Sequence, residues 1–111
     1  MKYFLIITFL FVSILAGCQK QQQLETTKIK ANTMVCANCA KTVKKAVYQV
    51  EGVKEVDIDV DMKTVEVKYV PLQTNTETIE RAITDAGYDA NDKKRDPAAY
   101  EKLDECCKMD Q

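Results

Sequence analysis

The stretch Val53-Lys54-Glu55-Val56-Asp57-Ile58-Asp59-Val60-Asp61-Met62-Lys63-Thr64-Val65-Glu66-Val67-Lys68-Tyr69 carries the most regular pattern in the chain. Val56, Ile58 and Val60 alternate with Asp57, Asp59 and Asp61, and Val65, Val67 and Tyr69 alternate with Thr64, Glu66 and Lys68. A period of two belongs to a strand with one buried face and one wet face. Asp61-Met62-Lys63 interrupts the alternation, so the stretch predicts a hairpin. The acids between the valines then read as solvated strand residues and not as catalytic carboxylates.

Upstream of the hairpin the period changes. Ala40, Val43, Val47 and Val50 recur at spacings of three and four, which predicts a helix over roughly Asn38 to Val50. Asn38 is the candidate N-cap, and Glu51-Gly52 closes the helix. Before it, Thr27-Lys28-Ile29-Lys30-Ala31 alternates like a half-buried strand. Downstream, Pro71 ends the hairpin, and Thr74-Asn75-Thr76-Glu77 has the S/T-x-x-E capping-box pattern. Ile79, Ala82, Ile83 and Ala86 follow on one helical face, Gly87 stops it, and Tyr88 to Asn91 reads as a short final strand. The order is strand, helix, strand, strand, helix, strand. Each element has one apolar face to bury, so the chain is predicted to be α+β: a ferredoxin-like βαββαβ two-layer sandwich with its helices on one side of an antiparallel sheet.

Met34-Val35-Cys36-Ala37-Asn38-Cys39 lies where the first strand gives way to the first helix. This places Cys36 in a loop and Cys39 in the first helical turn. Unpaired N–H groups and the positive end of the helix dipole stabilise negative charge there. A cysteine so placed has a lowered pKa, and its thiolate is both nucleophile and metal ligand.

The chain has 111 residues, five cysteines and no histidine, with 16 basic and 17 acidic residues. The absence of histidine removes the commonest general base and weakens any hydrolase reading. The charge balance lacks the basic face that nucleic acid requires. Lys41, Lys44 and Lys45 form a local cluster that reads as a solvated face. At the N-terminus, Lys2 precedes an apolar run from Tyr3 to Ala16, shorter than the roughly 20 residues of a spanning helix. The run ends in Leu15-Ala16-Gly17-Cys18, which resembles the lipobox of bacterial lipoproteins. That resemblance implies removal of residues 1–17 as a signal peptide and lipidation of Cys18, which attaches the protein to a membrane. Cleavage takes away one lysine and no acid, moving the net charge from −1 to −2. Residues 18–25 are polar and aperiodic and read as a flexible tether. Gln19 is not the Asp associated with inner-membrane retention, so in a Gram-negative cell the periplasmic side of the outer membrane is the expected location.

Residues 92–111 form a charged linker and a tail. Asp96-Pro97 reads as an N-cap and first-turn proline of a short C-terminal helix. Within it Ala99, Leu103 and Cys106 share a face, with Cys107 about 100° around.

Residues 26–91 resemble the heavy-metal-associated family, which includes copper chaperones, the metal-binding domains of copper-transporting ATPases and periplasmic mercury-binding proteins. The resemblance rests on Met34-x-Cys36-x-x-Cys39, Thr42-Val43-Lys44-Lys45-Ala46, Val50-Glu51-Gly52-Val53 and Ala86-Gly87-Tyr88. Thr33 and Val35 stand where the family usually has Gly and Thr. The resemblance implies a soft metal ion, Cu(I) or Hg(II), held by Cys36 and Cys39 and passed to a partner such as a metal-transporting ATPase, with no enzymatic turnover. It also implies that Met34 packs beneath the loop and that Tyr88 approaches the site. Zinc prefers four ligands and fits less well. Cys106 and Cys107 are candidates for additional metal sulfurs. Two other readings stay open: a thiol–disulfide redox protein, since Cys-x-x-Cys at a helix start is also the thioredoxin arrangement, and a structural zinc module using both cysteine pairs.

Overall fold

In the computed structural model, which describes residues 23–108, the hairpin forms as its alternation requires. β1 (Glu25–Lys30) and β2 (Val53–Asp59) flank β3 (Thr64–Tyr69), and both pairings are antiparallel. Asp59 Oδ1 accepts the Met62 N–H at 3.0 Å in the reversal, and Lys63 takes a φ of 54°. The lipobox, Cys18 and most of the tether lie outside the described residues.

α1 (Ala37–Tyr48) and α2 (Thr76–Asp85) fill the two remaining places in the order. Val43 and Val47 of α1 and Ile79 and Ile83 of α2 join Ile29, Val56, Val65 and Val67 of the sheet in one core. Each such side chain contributes about 1.5–3 kcal/mol when fully buried. Gly87 follows the Ala86 C-cap of α2 and takes positive φ, as predicted for a residue just past a helix. α1 instead ends at Tyr48 with Gln49 as its cap, short of the expected Val50, so Gly52, also at positive φ, turns the chain into β2 and does not close the helix.

Several local expectations are corrected. The helix start falls one residue earlier than Asn38: Cys36 is the extended N-cap residue, without a side-chain cap bond. At α2 the cap is Asn75, whose Oδ1 accepts the Thr78 N–H at 2.9 Å. Thr74, the expected cap, is buried, and its hydroxyl has no hydrogen-bond partner among the described residues. With the cap at Asn75, Glu77 falls one position too early to close the capping box.

The final strand is also absent among the described residues, where the sheet has three strands. Only an isolated bridge, Ala90 to Lys93, remains of Tyr88 to Asn91. Asn91 explains the loss. Its φ of 52° turns the chain out of extended geometry, and its Oδ1 accepts the Lys30 N–H at 2.8 Å, while its own N–H donates to Lys30 C=O at 2.8 Å. The amide side chain thereby takes the β1 donor that a neighbouring strand would have used.

The C-terminal helix is real but shorter than its apolar pattern. α3 (Pro97–Glu101) is capped by Asp96, whose Oδ1 accepts the Ala98 N–H at 2.9 Å. The chain then breaks and re-forms a single tight turn over Glu105–Cys107. The break takes Cys106 off the face it would share with Ala99 and Leu103 in one continuous helix: Cys106 is exposed and Cys107 is buried.

Candidate metal centre

Cys36 and Cys39 meet because the N-terminus of α1 folds them together. Cys36 sits in the extended N-cap position, and Cys39 is in the first turn. Their sulfurs lie 3.0 Å apart with both thiols free. Cys39 begins the buried stripe that Val43 and Val47 continue at four-residue spacing, and it is 0% exposed. Cys36 is half-buried and offers the approach to the pair. Spacing in the sequence carried the signal for the burial of Cys39, since it shares a face with the core valines.

Charge at the pair follows from these contacts. The Cys39 thiol, and then its backbone N–H, favour the Cys36 thiolate against the opposing cost of burial, and Cys106 and Cys107 add to the effect. The Cys36 pKa is lowered to about 7. The thiolate is the alkylating species, so iodoacetamide labelling of Cys36, read by peptide mass spectrometry, should be half-maximal at a pH of about 7. A labelling rate that still climbs steeply through pH ~9, as for an ordinary thiol with a pKa of roughly 8.5, would contradict this.

Met34, two residues before Cys36, is fully buried in the core, where its thioether packs as an apolar group. Tyr88 is also 0% exposed. Its hydroxyl lies close to the Cys39 and Cys107 sulfurs but makes no hydrogen bond of good geometry among the described residues. Burial, reinforced by those sulfurs, pushes its pKa upward, so the phenol stays neutral. Thr33, at the position where the loop begins, ties the loop to the segment that follows α2: its Oγ1 accepts the Asp89 N–H at 2.9 Å.

The tail reaches the same place from the far end of the chain. Cys36 Sγ lies 3.5 Å from Cys106 Sγ and 3.6 Å from Cys107 Sγ. Burial raises the Cys107 pKa, and the Cys39 sulfur raises it further, partly offset by Tyr88. Asn38, read from sequence as a cap, instead directs its Nδ2 at Cys106 Sγ, 3.8 Å away. Nothing in the local sequence around Asn38 signalled that contact, because its partner is 68 positions away.

The heavy-metal-associated domain model matches residues 28–89, more than half of the chain and the whole of the cysteine loop. The chain belongs to the heavy-metal-associated domain family. Among its relatives, the mercuric transport protein periplasmic component of Salmonella typhi is 34% identical over 70 residues, covering 63% of this chain and 77% of that protein. A copper-exporting P-type ATPase of Staphylococcus epidermidis is 33% identical over 70 residues, again 63% of this chain. The match spans only 9% of that ATPase. The crystal structure of oxidized MerP from Ralstonia metallidurans CH34 superposes with a TM-score of 0.60 at 32% identity, covering 62% of this chain and 96% of that one. A CopZ metallochaperone gives a TM-score of 0.58 at 26% identity, covering 60% and 98%. The heavy-metal-associated domain of this chain therefore has the ferredoxin-like fold of its solved relatives. Cys106 and Cys107 lie beyond the matched residues.

Proposed function

We propose that this chain binds a soft metal ion, Cu(I) or Hg(II), through Cys36 and Cys39 and hands it on by thiolate exchange. One observation carries the reading: two free sulfurs 3.0 Å apart at a helix N-terminus, one buried and one open to approach, inside a heavy-metal-associated domain. Soft thiolate ligands select soft ions. The partly ionised Cys36 makes the first bond, and Cys39 closes on the ion from below. Each neutral thiol that becomes a ligand releases its proton to solvent. Transfer runs the other way. A partner thiolate adds to the ion as one metal–sulfur bond to this chain breaks, a second partner thiolate then displaces the remaining one, and no electron changes hands. The step is ligand exchange without turnover. Met34 and Tyr88 wall the site from below and keep water from its buried side.

The mercuric transport relative is named as a periplasmic component, which supports an extracytoplasmic site of action. Lipidation of Cys18 would hold the domain at a membrane surface there, and the relatives among copper-exporting ATPases support a metal transporter as the donor or acceptor. Competition titration of the reduced chain with Cu(I), Hg(II) and Zn(II) tests the reading. Cu(I) and Hg(II) should each bind at one equivalent and resist displacement by Zn(II). A chain that prefers Zn(II) to both would refute it.

A further inference from the structure

Beyond the paired cysteines of the loop, the structure gathers further sulfur around one of them. Cys36 Sγ stands 3.0 Å from Cys39, 3.5 Å from Cys106 and 3.6 Å from Cys107, while Cys106 and Cys107 are 3.9 Å apart. The sulfurs of Cys36, Cys106 and Cys107 all lie within 4.8 Å of one another. Around a tetrahedral ion with metal–sulfur bonds of about 2.3 Å, neighbouring sulfurs stand about 3.8 Å apart. Small side-chain rotations bring this cluster to that spacing.

The proximity is built by specific packing. Gly87 lets α3 approach its backbone, since a Cβ there would stand 3.0 Å from Tyr100 N and 3.1 Å from Ala99 C. Asp96 N–H donates to Thr84 C=O at 3.0 Å, and Arg95 N–H donates to Asp89 Oδ1 at 2.9 Å. The Arg95 guanidinium lies over the buried Tyr100 ring, 3.6 Å from its centroid. Leu103 packs on the core, and the turn that follows sends Cys107 inward at 3% exposure. Cys106 remains outside, under the Asn38 amide.

We propose that Cys106 and Cys107 complete the metal centre, so that a bound soft ion is held by three or four thiolates with Cys36 shared between loop and tail. The tail is then a clasp. It fills from within the coordination positions that a partner thiolate would otherwise take. Departure of the ion begins as a partner sulfur forms its bond and the bond to Cys106 breaks; the tail lifts from its seat with loss of the Cys107 bond, and further partner thiolate then displaces Cys36 and Cys39 in turn. Retention is favoured over handover, which suits capture and storage of the ion at low supply. The inference rests on the reading of Cys36 and Cys39 as the primary pair.

X-ray absorption on the full-length reduced chain in detergent, loaded with one equivalent of Cu(I) or of Hg(II), tests it. The wild type should show three or four sulfur neighbours, and Cys106→Ser/Cys107→Ser should show two. Loss of the ion to a competing chelator should be about 100-fold faster in that variant, as expected when a tethered ligand is removed. Because Cys107 is buried, Cys106→Ser alone provides a second arm at an exposed position: it should remove one sulfur and leave the fold intact. Two sulfurs in both the wild type and the double variant would overturn the clasp and leave the loop pair standing. Undiminished binding in Cys36→Ser/Cys39→Ser would instead overturn the reading on which the clasp depends.

Discussion

Replacing Cys36 and Cys39 together by serine is expected to weaken Cu(I) and Hg(II) binding by more than about a thousand-fold, since losing only an outer-shell partner of a ligand already costs about 10–100-fold. A hydroxyl is a hard, neutral ligand at neutral pH and does not replace a thiolate for a soft ion. Cys106 and Cys107 do not rescue the site alone. Cys107 is buried with its thiol pushed upward in pKa, and Cys106 is exposed, so the two tail sulfurs without the loop pair do not enclose an ion. The readout is twofold: competition titration, and the rise in unfolding temperature that a tight ligand produces by binding only the folded chain. That rise should vanish in the variant. Serine at the fully buried Cys39 leaves a hydroxyl in the core, at a cost of about 1–3 kcal/mol if it finds no partner. Cys36→Ser alone, at the half-buried position, therefore separates lost binding from lost stability. Full metal capacity in a folded double variant would end the case for the pair.

Gly87→Ala is expected to lower the unfolding free energy by about 2–3 kcal/mol, in the upper range for a single substitution. Two causes act together. At φ +100° an L side chain is strained, and the new Cβ crowds backbone atoms of Tyr100 and Ala99, which cannot swing aside as a side-chain tip can. The crowding falls on the tail, so the variant should also expose Cys107 to alkylation under native conditions. Gly52→Ala is the control. It has a φ of +96° and meets Gln73 and Thr74. It should lose comparable stability while Cys107 stays protected. If Cys107 in the Gly87 variant remains as inert as in wild type, the glycine is not what seats the tail.

The hairpin and both main helices were legible because each is announced by a local period. Val56, Ile58, Val65 and Val67 alternate, and Val43, Val47, Ile79 and Ile83 recur at helical spacing. The cysteine loop was legible for the same reason: its spacing and its place at a helix start are properties of a few consecutive residues. The errors fall where two local solutions compete. Thr74 and Asn75 are both good caps, and only packing decided that Thr74 is buried. Tyr88 to Asn91 was read as a strand from its place after α2, yet only Tyr88 is a good strand former there, and the left-handed Asn91 and its bonds to Lys30 end the extended run.

Sequence alone determined the fold class, the family and the paired thiols at the start of α1, because alternation, helical period and thiol spacing act between near neighbours along the chain. Only the tertiary structure decided that Cys106 and Cys107 stand beside Cys36 across about 70 residues, and which of them turns inward. That outcome depends on where α3 breaks and on how closely its backbone can approach Gly87, and both are set by packing between distant segments.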